Sequence, residues 1–104
     1  MYTIAETVQF KAQVDKIWNE DERLAFISFL AENPLAGDVI PHANGLRKIR
    51  WQASGRGKRG GARVIYFNLL ENGLIVLLSI YTKNEKENLS PQEMKQLKGQ
   101  KNEQ

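Results

Sequence analysis

Two apolar runs separated by Asn72-Gly73 constrain the fold of this chain more than any other feature. The runs are ARVIYFNLL and LIVLLSIYT, and both have the pattern of β-strands. Asn-Gly between two strands is typical of a type I′ turn, whose two central residues need positive φ. We therefore expect an antiparallel hairpin. The unbroken apolar run LIVLLSIY further predicts a strand that is covered on both faces, as at the centre of a sheet.

The N-terminal part predicts one strand and two helices. Alternation at Tyr2, Ile4 and Val8 indicates the strand. A first amphipathic helix is predicted from apolar residues at helical spacing, which are Phe10, Val14, Ile17 and Trp18. The capping pair Asn19 and Glu22 indicates the start of a second helix, which ends before Asn33-Pro34. Its buried stripe is expected to consist of Leu24, Phe26, Ile27 and Leu30.

The remaining segments complete the predicted fold. Turn-forming residues between positions 34 and 45 predict a connecting loop, and LRKIRW after it predicts a further strand. The motif Ser90-Pro91-Gln92-Glu93 predicts a short C-terminal helix with a polar tail that frays from about residue 99. We therefore expect one α+β domain over residues 1–104. It has a small antiparallel-rich sheet, two N-terminal helices packed on it, and a short C-terminal helix.

Composition excludes several classes of protein. A chain of 104 residues fits one domain, and the lack of cysteine excludes disulfides, thiolate catalysis and thiolate metal sites. The longest apolar stretch is too short to cross a bilayer, and MYTIAETVQF lacks the pattern of an export signal. We expect a cytoplasmic protein with no membrane partner.

Positive charge is concentrated in one part of the chain. The segment from Gly45 to Phe67 holds seven of the fifteen Lys and Arg residues and no acid. The rest of the chain carries eight cations and twelve acids, so a basic patch stands on an acidic body. Such segregation is typical of proteins that bind a polyanion, because each cation that neutralises a phosphate releases condensed counterions. Nucleic acid is the first partner to consider.

The cations of this segment are candidates for phosphate contacts. Alternation along LRKIRW places Lys48 and Arg50 on one face, and Arg63 in the next strand can share that surface. The glycine-rich loop between the strands carries further cations, which are Arg56, Lys58 and Arg59. This loop lacks the lysine and Ser/Thr pair of a Walker phosphate loop, so a nucleoside triphosphate site is not expected. The alternative is a solvated basic loop that prevents aggregation at a sheet edge.

Polar candidates also lie at the end of the LIVLLSIYT strand. Tyr81 and Lys83 alternate onto one face, and Asn84 follows in the turn. The alternatives are a half-buried tyrosine whose hydroxyl reaches water and an ordinary exposed lysine. His42 is the single histidine and is expected on the surface, so no pair of histidines divides acid and base work. Neither a metal ion nor another cofactor is expected, because no histidine and carboxylate cluster has metal-ligand spacing.

The order of elements, with GLRKIRW, GRGKRGGARVIYF and IYTKNEKENLSP, resembles the RelE/ParE superfamily of toxin–antitoxin toxins. The chain is most similar to the HigB-type, mRNA-cleaving members, and the resemblance covers nearly its whole length. It implies a sheet with two helices on one side and a concave basic surface that enters the ribosomal A site. Members cut messenger RNA there, without a metal ion, when a 2′-hydroxyl attacks the adjacent phosphate.

The resemblance also implies counterparts for part of the family's site. Lys48 and Arg50 match the basic pair before the loop, and Arg63 matches the arginine that opens the next strand. The basic residue at the end of the last strand is matched by Lys83 or, less conservatively, by Asn84. Some members have a tyrosine after that strand, whereas NEKENLSP has none.

These matches lead to a hypothesis for each side chain. Arg63 and Lys58 contact the scissile phosphate, where cations stabilise the charge of a pentacoordinate transition state. Lys48 and Arg50 contact flanking phosphates. Proton transfer or orientation falls to Tyr81 or Lys83. Tyr81 is the tyrosine nearest to the position at which some family members have one. The remaining RNA contacts are expected from Arg56, Arg59 and Asn84.

Partners follow from the same resemblance. Toxins of this kind are held inactive by an antitoxin, which is expected to be a DNA-binding repressor, and they act on the ribosome with its mRNA. Two other functions stay open. One is the poisoning of DNA gyrase by a ParE-like toxin, and the other is an RNA-binding or ribosome-associated module without catalysis, which uses the same cations for phosphate contacts.

Overall fold

The structure is a computed structural model that describes residues 1–51, 61–83, 85–86 and 88–102. The strands within these ranges are β1 (Thr3–Glu6), β2 (Asp38–Val39), β3 (Arg47–Trp51), β4 (Ala62–Leu69) and β5 (Leu74–Thr82). The helices are α1 (Val8–Val14), α2 (Glu20–Glu32) and α3 (Pro91–Asn102).

The strands form one sheet in the order β1-β5-β4-β3-β2. β1 runs parallel to β5, and every other neighbouring pair is antiparallel. β5 therefore lies between two strands, and all of its residues from Ile75 to Tyr81 are buried. This confirms the prediction of a strand that is covered on both faces.

The two faces of the sheet are covered by different helices. On one face, Phe10 and Val14 of α1 and Phe26 of α2 pack with residues such as Val64 of β4. On the other face, Leu97 of α3 packs with residues of the central strands, which include Ile65, Phe67 and Val76. The predicted α+β class is confirmed, with two N-terminal helices on one side of a sheet that is mainly antiparallel.

The predicted hairpin is present, but its turn differs from the prediction. Leu69 pairs with Leu74, and the chain between them makes one turn of 3-10 helix, Leu70–Asn72, before Gly73. Gly73 has φ 69°, and Asn72 is not among the residues with positive φ, so the type I′ turn is wrong. The side chain of Leu70 packs on the core, which favours the longer reversal.

The N-terminal helices are capped as predicted but differ in extent and exposure. Asn19 and Glu22 form the reciprocal bonds of a capping box, and α2 ends at Glu32, before Pro34. α1 is shorter than predicted, because it ends at Val14. Trp18 lies after the turn that follows the helix, and its exposed fraction is only 7%. Leu24 is 52% exposed, so its place in the buried stripe was predicted wrongly.

The segment between α2 and β3 is more ordered than a simple loop. Asp38 and Val39 pair with β3 and add an edge strand that the sequence did not predict. His42 is exposed, as predicted, and has φ 59°, while Asn44 has φ 56°. These left-handed residues reverse the chain before β3.

The end of α3 is held against this reversal. Lys98 Nζ donates a hydrogen bond to the carbonyl of His42 at 3.2 Å, and Lys101 Nζ donates to the carbonyl of Asn44. Gln100 Nε2 donates to Gln9 Oε1 of α1 at 2.9 Å. The helix thus continues to Asn102 and does not fray from about residue 99; residues 103 and 104 lie outside the described residues.

Candidate nucleic-acid interface

Three polar residues form one row across the sheet. The strand register places Arg50 of β3 opposite Arg63 of β4, and Arg63 opposite Tyr81 of β5. Directly opposed residues of antiparallel strands have their side chains on the same face, with Cβ atoms about 4.5–5.5 Å apart. The row therefore brings together two of the predicted cations and the predicted tyrosine.

Lys48 extends this surface by one row. It lies opposite Ile65, two residues from the Arg63 position, so it shares the face of Arg50 and Arg63. Its Nζ donates a hydrogen bond to Asn88 Oδ1 at 3.1 Å. Ile49 points to the other side and joins the core under α1 and α2. The predicted separation of the two faces of this strand is therefore present.

The members of the row differ in their access to solvent. Arg63 is only 5% exposed and Tyr81 only 3%, whereas Arg50 is exposed and Lys48 is half-buried. Burial of a guanidinium is costly unless other groups of the protein or a bound anion stabilise its charge. Within the row, Arg63 and Tyr81 are therefore the buried members, and Arg50 is the member that solvent reaches directly.

Burial also determines the protonation of Tyr81. Removal from water raises the pKa of its phenol above the ordinary value, the positive charge of Arg63 opposes this shift, and the carboxylate of Glu93 adds to it. Since the net direction is upward, the phenol is protonated at neutral pH. Tyr81 can therefore donate a proton or a hydrogen bond, but it is a poor base in the free protein.

Lys86, in the segment before α3, lies over the ring of Tyr81. The Nζ of Lys86 lies 5.6 Å from the centre of the Tyr81 ring, within the range of a cation–π contact. The same ammonium group forms an ion pair with Glu93 in the first turn of α3. Glu93 also accepts a hydrogen bond from the backbone N–H of Ser90 at 2.9 Å, and Ser90 Oγ accepts one from Glu93 N–H at 3.1 Å. The predicted cap of α3 therefore fixes the group that pairs with Lys86.

A small cavity lies beside the row on the face covered by α3. Its volume is about 300 Å³, and its lining includes Lys48, Tyr81 and Asn88. Apolar atoms of Ile65 and Met94 complete much of its wall. Sequence reasoning did not single out Asn88 or Lys86, although the cap at Ser90 and Glu93 indicates that the chain before α3 turns back toward the sheet.

Lys83 is not part of the row. β5 ends at Thr82, and Lys83 lies exposed in the turn that follows. This turn is closed by Glu85, whose Oε1 accepts a hydrogen bond from Thr82 N–H at 3.0 Å. The predicted sharing of one strand face by Tyr81 and Lys83 is therefore wrong, because the strand stops between them.

The other predicted site residues cannot be placed. Four of them lie outside the described residues, namely Arg56, Lys58, Arg59 and Asn84. Among the residues that the structure does describe, no group of three or more His, Asp or Glu side chains could hold a metal ion. In the same part of the chain, no helix is long and apolar enough to cross a membrane.

Comparison with known proteins identifies the fold. No family model matches the sequence. Among solved structures, the chain is similar to a double arginine-to-alanine mutant of the E. coli toxin RelE in the free state, with a TM-score of 0.58. The fold is RelE-like. The match covers 83% of this chain and 87% of the RelE chain at 16% sequence identity.

The candidate row and the two N-terminal helices lie on opposite faces of the RelE-like sheet. The resemblance seen in the sequence implies a sheet with two helices on one side, and this arrangement is present. Arg50, Arg63 and Tyr81 stand on the opposite face, toward α3, where Tyr81 packs with Leu97. At 16% identity the RelE match concerns the fold, and the chemistry has to be argued from the side chains of this chain.

Proposed function

We propose that this protein is the toxin of a toxin–antitoxin pair and a ribosome-dependent mRNA endonuclease of the HigB type. The observation that carries the proposal is the row of Arg50, Arg63 and Tyr81. Together with Lys48, this row forms the cationic face of the sheet. The RelE-like fold supports the toxin assignment, and the segments GKRGGARVIY and YTKNE support the HigB type. The site of action is the cytoplasm, where ribosomes carry the message.

The proposed reaction is an internal transfer of the RNA phosphate. The 2′-oxygen attacks the adjacent phosphorus and loses its proton, while the bond to the 5′-oxygen of the next nucleotide breaks and that oxygen gains a proton. The products are a 2′,3′-cyclic phosphate and a 5′-hydroxyl end. No oxidant, metal ion or other cofactor takes part. The message must hold the attacking and leaving oxygens in line, which the ribosomal A site and the cationic face together favour.

Arg63 is the main group at the scissile phosphate in this proposal. Its guanidinium offers several N–H donors to the phosphate oxygens, whose charge increases in the pentacoordinate transition state. Lys58 adds a second cation to the same phosphate, and Arg50 and Lys48 hold the phosphates that flank it. Arg56, Arg59 and Asn84 make the remaining contacts with RNA.

We assign Tyr81 the role of proton donor or orienting group, because its raised pKa keeps the phenol protonated. Protonation of the leaving 5′-oxygen is the step that such a phenol can assist. Lys83, exposed beyond the strand, is the alternative group for proton transfer. Arg63 and Tyr81 are both nearly buried in the free protein, so the side chains that cover them must move when RNA binds.

The proposal includes a protein partner. A toxin that cuts messages needs an inhibitor in the same cell, and we propose an antitoxin that is a DNA-binding repressor. Its binding keeps the cationic face away from the A site, either by covering that face or by making the toxin too large to enter.

Primer extension tests the proposed function. A defined message is translated in a reconstituted reaction with the wild-type protein, with Arg63→Ala, or with Lys11→Ala, which removes an exposed cation of α1 as a matched control. The expected result is new 5′ ends that need the ribosome, persist with Lys11→Ala and disappear with Arg63→Ala. An intact message with the wild-type protein would overturn the proposal and favour gyrase poisoning or RNA binding without catalysis.

A further inference from the structure

Among the residues that the structure describes, no strand lies next to the final part of β5 on the side of β1. β1 pairs with β5 from Thr3 opposite Leu74 to Glu6 opposite Leu77, and there it ends. β5 continues to Thr82 and keeps β4 as its neighbour on the other side. The backbone groups that β1 would have bonded beyond Leu77 therefore need other partners.

Residues at both ends of α1 supply these partners. Thr7, the N-cap residue of α1, donates both its backbone N–H, at 3.1 Å, and its Oγ1, at 2.9 Å, to the carbonyl of Leu77. Near the other end of the helix, Gln13 Oε1 accepts hydrogen bonds from Ile80 N–H at 3.0 Å and from Ser79 Oγ at 3.2 Å. The amide oxygen of Gln13 therefore bonds the backbone of β5 at Ile80, next to Tyr81, where the pairing with β1 has ended.

These bonds lie where the pairing of β4 and β5 is irregular. The register shifts between Ile65 and Tyr66, because Ile65 pairs with Ser79 while Tyr66 pairs with Leu77. Such a β-bulge leaves one residue of β5 unpaired and changes the direction of the strand beyond it. Since Ser79 is 2% exposed, water cannot readily replace Gln13 Oε1 as the acceptor of its hydroxyl group. Beyond the bulge, β5 pairs with β4 from Ser79 to Thr82, and this short stretch places Tyr81 opposite Arg63.

We propose that Gln13 is a positioning residue for the candidate site. Its Oε1 holds β5 beyond the bulge and thereby keeps Tyr81 opposite Arg63. Gln13 acts through the backbone of Ile80, and not by contact with RNA. The structural part of this proposal stands alone, and its consequence for cleavage rests on the proposed function.

Three variants separate positioning from simple stabilisation. Gln13→Leu removes the acceptor, and Gln13→Glu keeps an acceptor oxygen at the same reach. Gln9→Leu is the matched control, because it removes a different side-chain bond of α1, the one accepted from Gln100 Nε2 at 2.9 Å. Each variant is examined by NMR amide exchange at Ile80 and by the chemical shifts of the Tyr81 ring. Single-turnover cleavage on programmed ribosomes then gives the rate and the half-saturating concentration separately.

We expect Gln13→Leu to lose exchange protection at Ile80 and to shift the Tyr81 ring signals. Its cleavage rate should fall by about 10- to 100-fold, because displacement of a reacting group by about an ångström can slow a reaction this much. The half-saturating concentration should stay the same. Gln13→Glu recovers most of the protection and the rate. Gln9→Leu keeps the wild-type values at Ile80 and Tyr81 and the wild-type rate.

Several results would overturn this proposal. Wild-type exchange at Ile80 and unchanged Tyr81 signals in folded Gln13→Leu would show that the acceptor does not hold the strand. A wild-type cleavage rate despite shifted Tyr81 signals, or an equal loss of rate in Gln9→Leu, would leave Gln13 without a positioning role. If the wild-type protein cuts no message, the proposed function fails, and the NMR comparison alone decides whether Gln13 positions Tyr81.

Discussion

Arg63 on β4 and Tyr81 on β5 lie directly opposite each other, and their exposed fractions are 5% and 3%. The cation lowers the pKa of the phenol, while burial raises it by a larger amount. Arg63 therefore affects the charge state of Tyr81 in a place where water contributes little. This coupling gives a test of the site that requires no RNA.

The first prediction concerns the titration of Tyr81. Arg63→Ala removes the charge that favours the phenolate, so the pKa of Tyr81 should rise further above its ordinary value. The measurement is an ultraviolet titration of the variant, with the curve of the corresponding Tyr81→Phe protein subtracted. Arg50→Ala, which removes an exposed cation one strand further away, is expected to change this pKa less. A pKa that stays constant or falls in Arg63→Ala would contradict the contact.

A second tyrosine is expected to control stability and not activity. Tyr66 is fully buried, and its hydroxyl donates to the carbonyl of Pro34 and accepts from Gly37 N–H, both at 2.9 Å. Tyr66→Phe leaves two polar groups without this partner and should lower the free energy of unfolding by about 1–3 kcal/mol. Urea denaturation measures the change, and Tyr2→Phe at a half-buried position is the control. Equal stability of Tyr66→Phe and the wild type would contradict the role of the hydroxyl.

The pH dependence of this contribution has a definite sign. Burial is the largest cause of the raised pKa of Tyr66, so the folded state holds its proton more tightly than the unfolded chain. The stabilisation is complete below the pKa of the unfolded tyrosine and is lost as the pH rises through the folded pKa. The wild-type protein should therefore lose this stabilisation at alkaline pH, whereas Tyr66→Phe has no such group to titrate and should not show this part of the loss.

The third prediction concerns Glu93 and acid. The hydrogen bond from Lys86 is the largest cause that lowers the pKa of this carboxyl, and the backbone N–H of Ser90 is the next. Its contribution to stability is present above the unfolded pKa and is lost as the pH falls through the folded pKa. Glu93→Gln should therefore flatten the acid side of the stability profile, as measured by urea denaturation across pH. An acid side as steep in Glu93→Gln as in the wild type would contradict this role of the carboxylate.

Two glycines should respond in opposite directions to the same substitution. Gly45 has φ 88°, and a Cβ there would lie 2.6 Å from Lys101 Nζ, so Gly45→Ala should destabilise the protein by about 1–2 kcal/mol. Gly99 lies inside α3, and no atom of the described residues lies within 4 Å of an added Cβ. Gly99→Ala should therefore stabilise the protein by up to about 1 kcal/mol. Thermal unfolding of both variants gives the signs, and a shift of both in the same direction would be inconsistent with this packing of α3.

The features that the sequence predicted correctly are those that depend on neighbouring residues. The capping boxes at Asn19 and Ser90 need groups only three positions apart, and both are present. The alternation along LRKIRW gave the shared face of Lys48 and Arg50, because the strand period is two. The burial of LIVLLSIY followed from its unbroken apolar character.

The features that the sequence could not supply depend on distant contacts. The type I′ prediction at Asn72 failed where Leu70 packs on the core, and β2 exists only because Asp38 and Val39 meet β3. The bulge opposite Ile65 and the acceptor role of Gln13 require a register that no local pattern specifies. The residues of the row at Arg63 could therefore be predicted from the sequence. The hydrogen bonds by which α1 supports the strand of Tyr81 could not.

The comparison of cleavage with binding for Arg63→Ala tests the central claim most directly. Single-turnover cleavage of a ribosome-bound message and the affinity for the same ribosome complex are measured side by side, with Lys11→Ala as the control. Because Arg63 stabilises the transition state in this account, the rate should fall by about 10²- to 10³-fold while affinity changes little. Loss of affinity in proportion to the rate, or cleavage by Arg63→Ala at the wild-type rate, would contradict it.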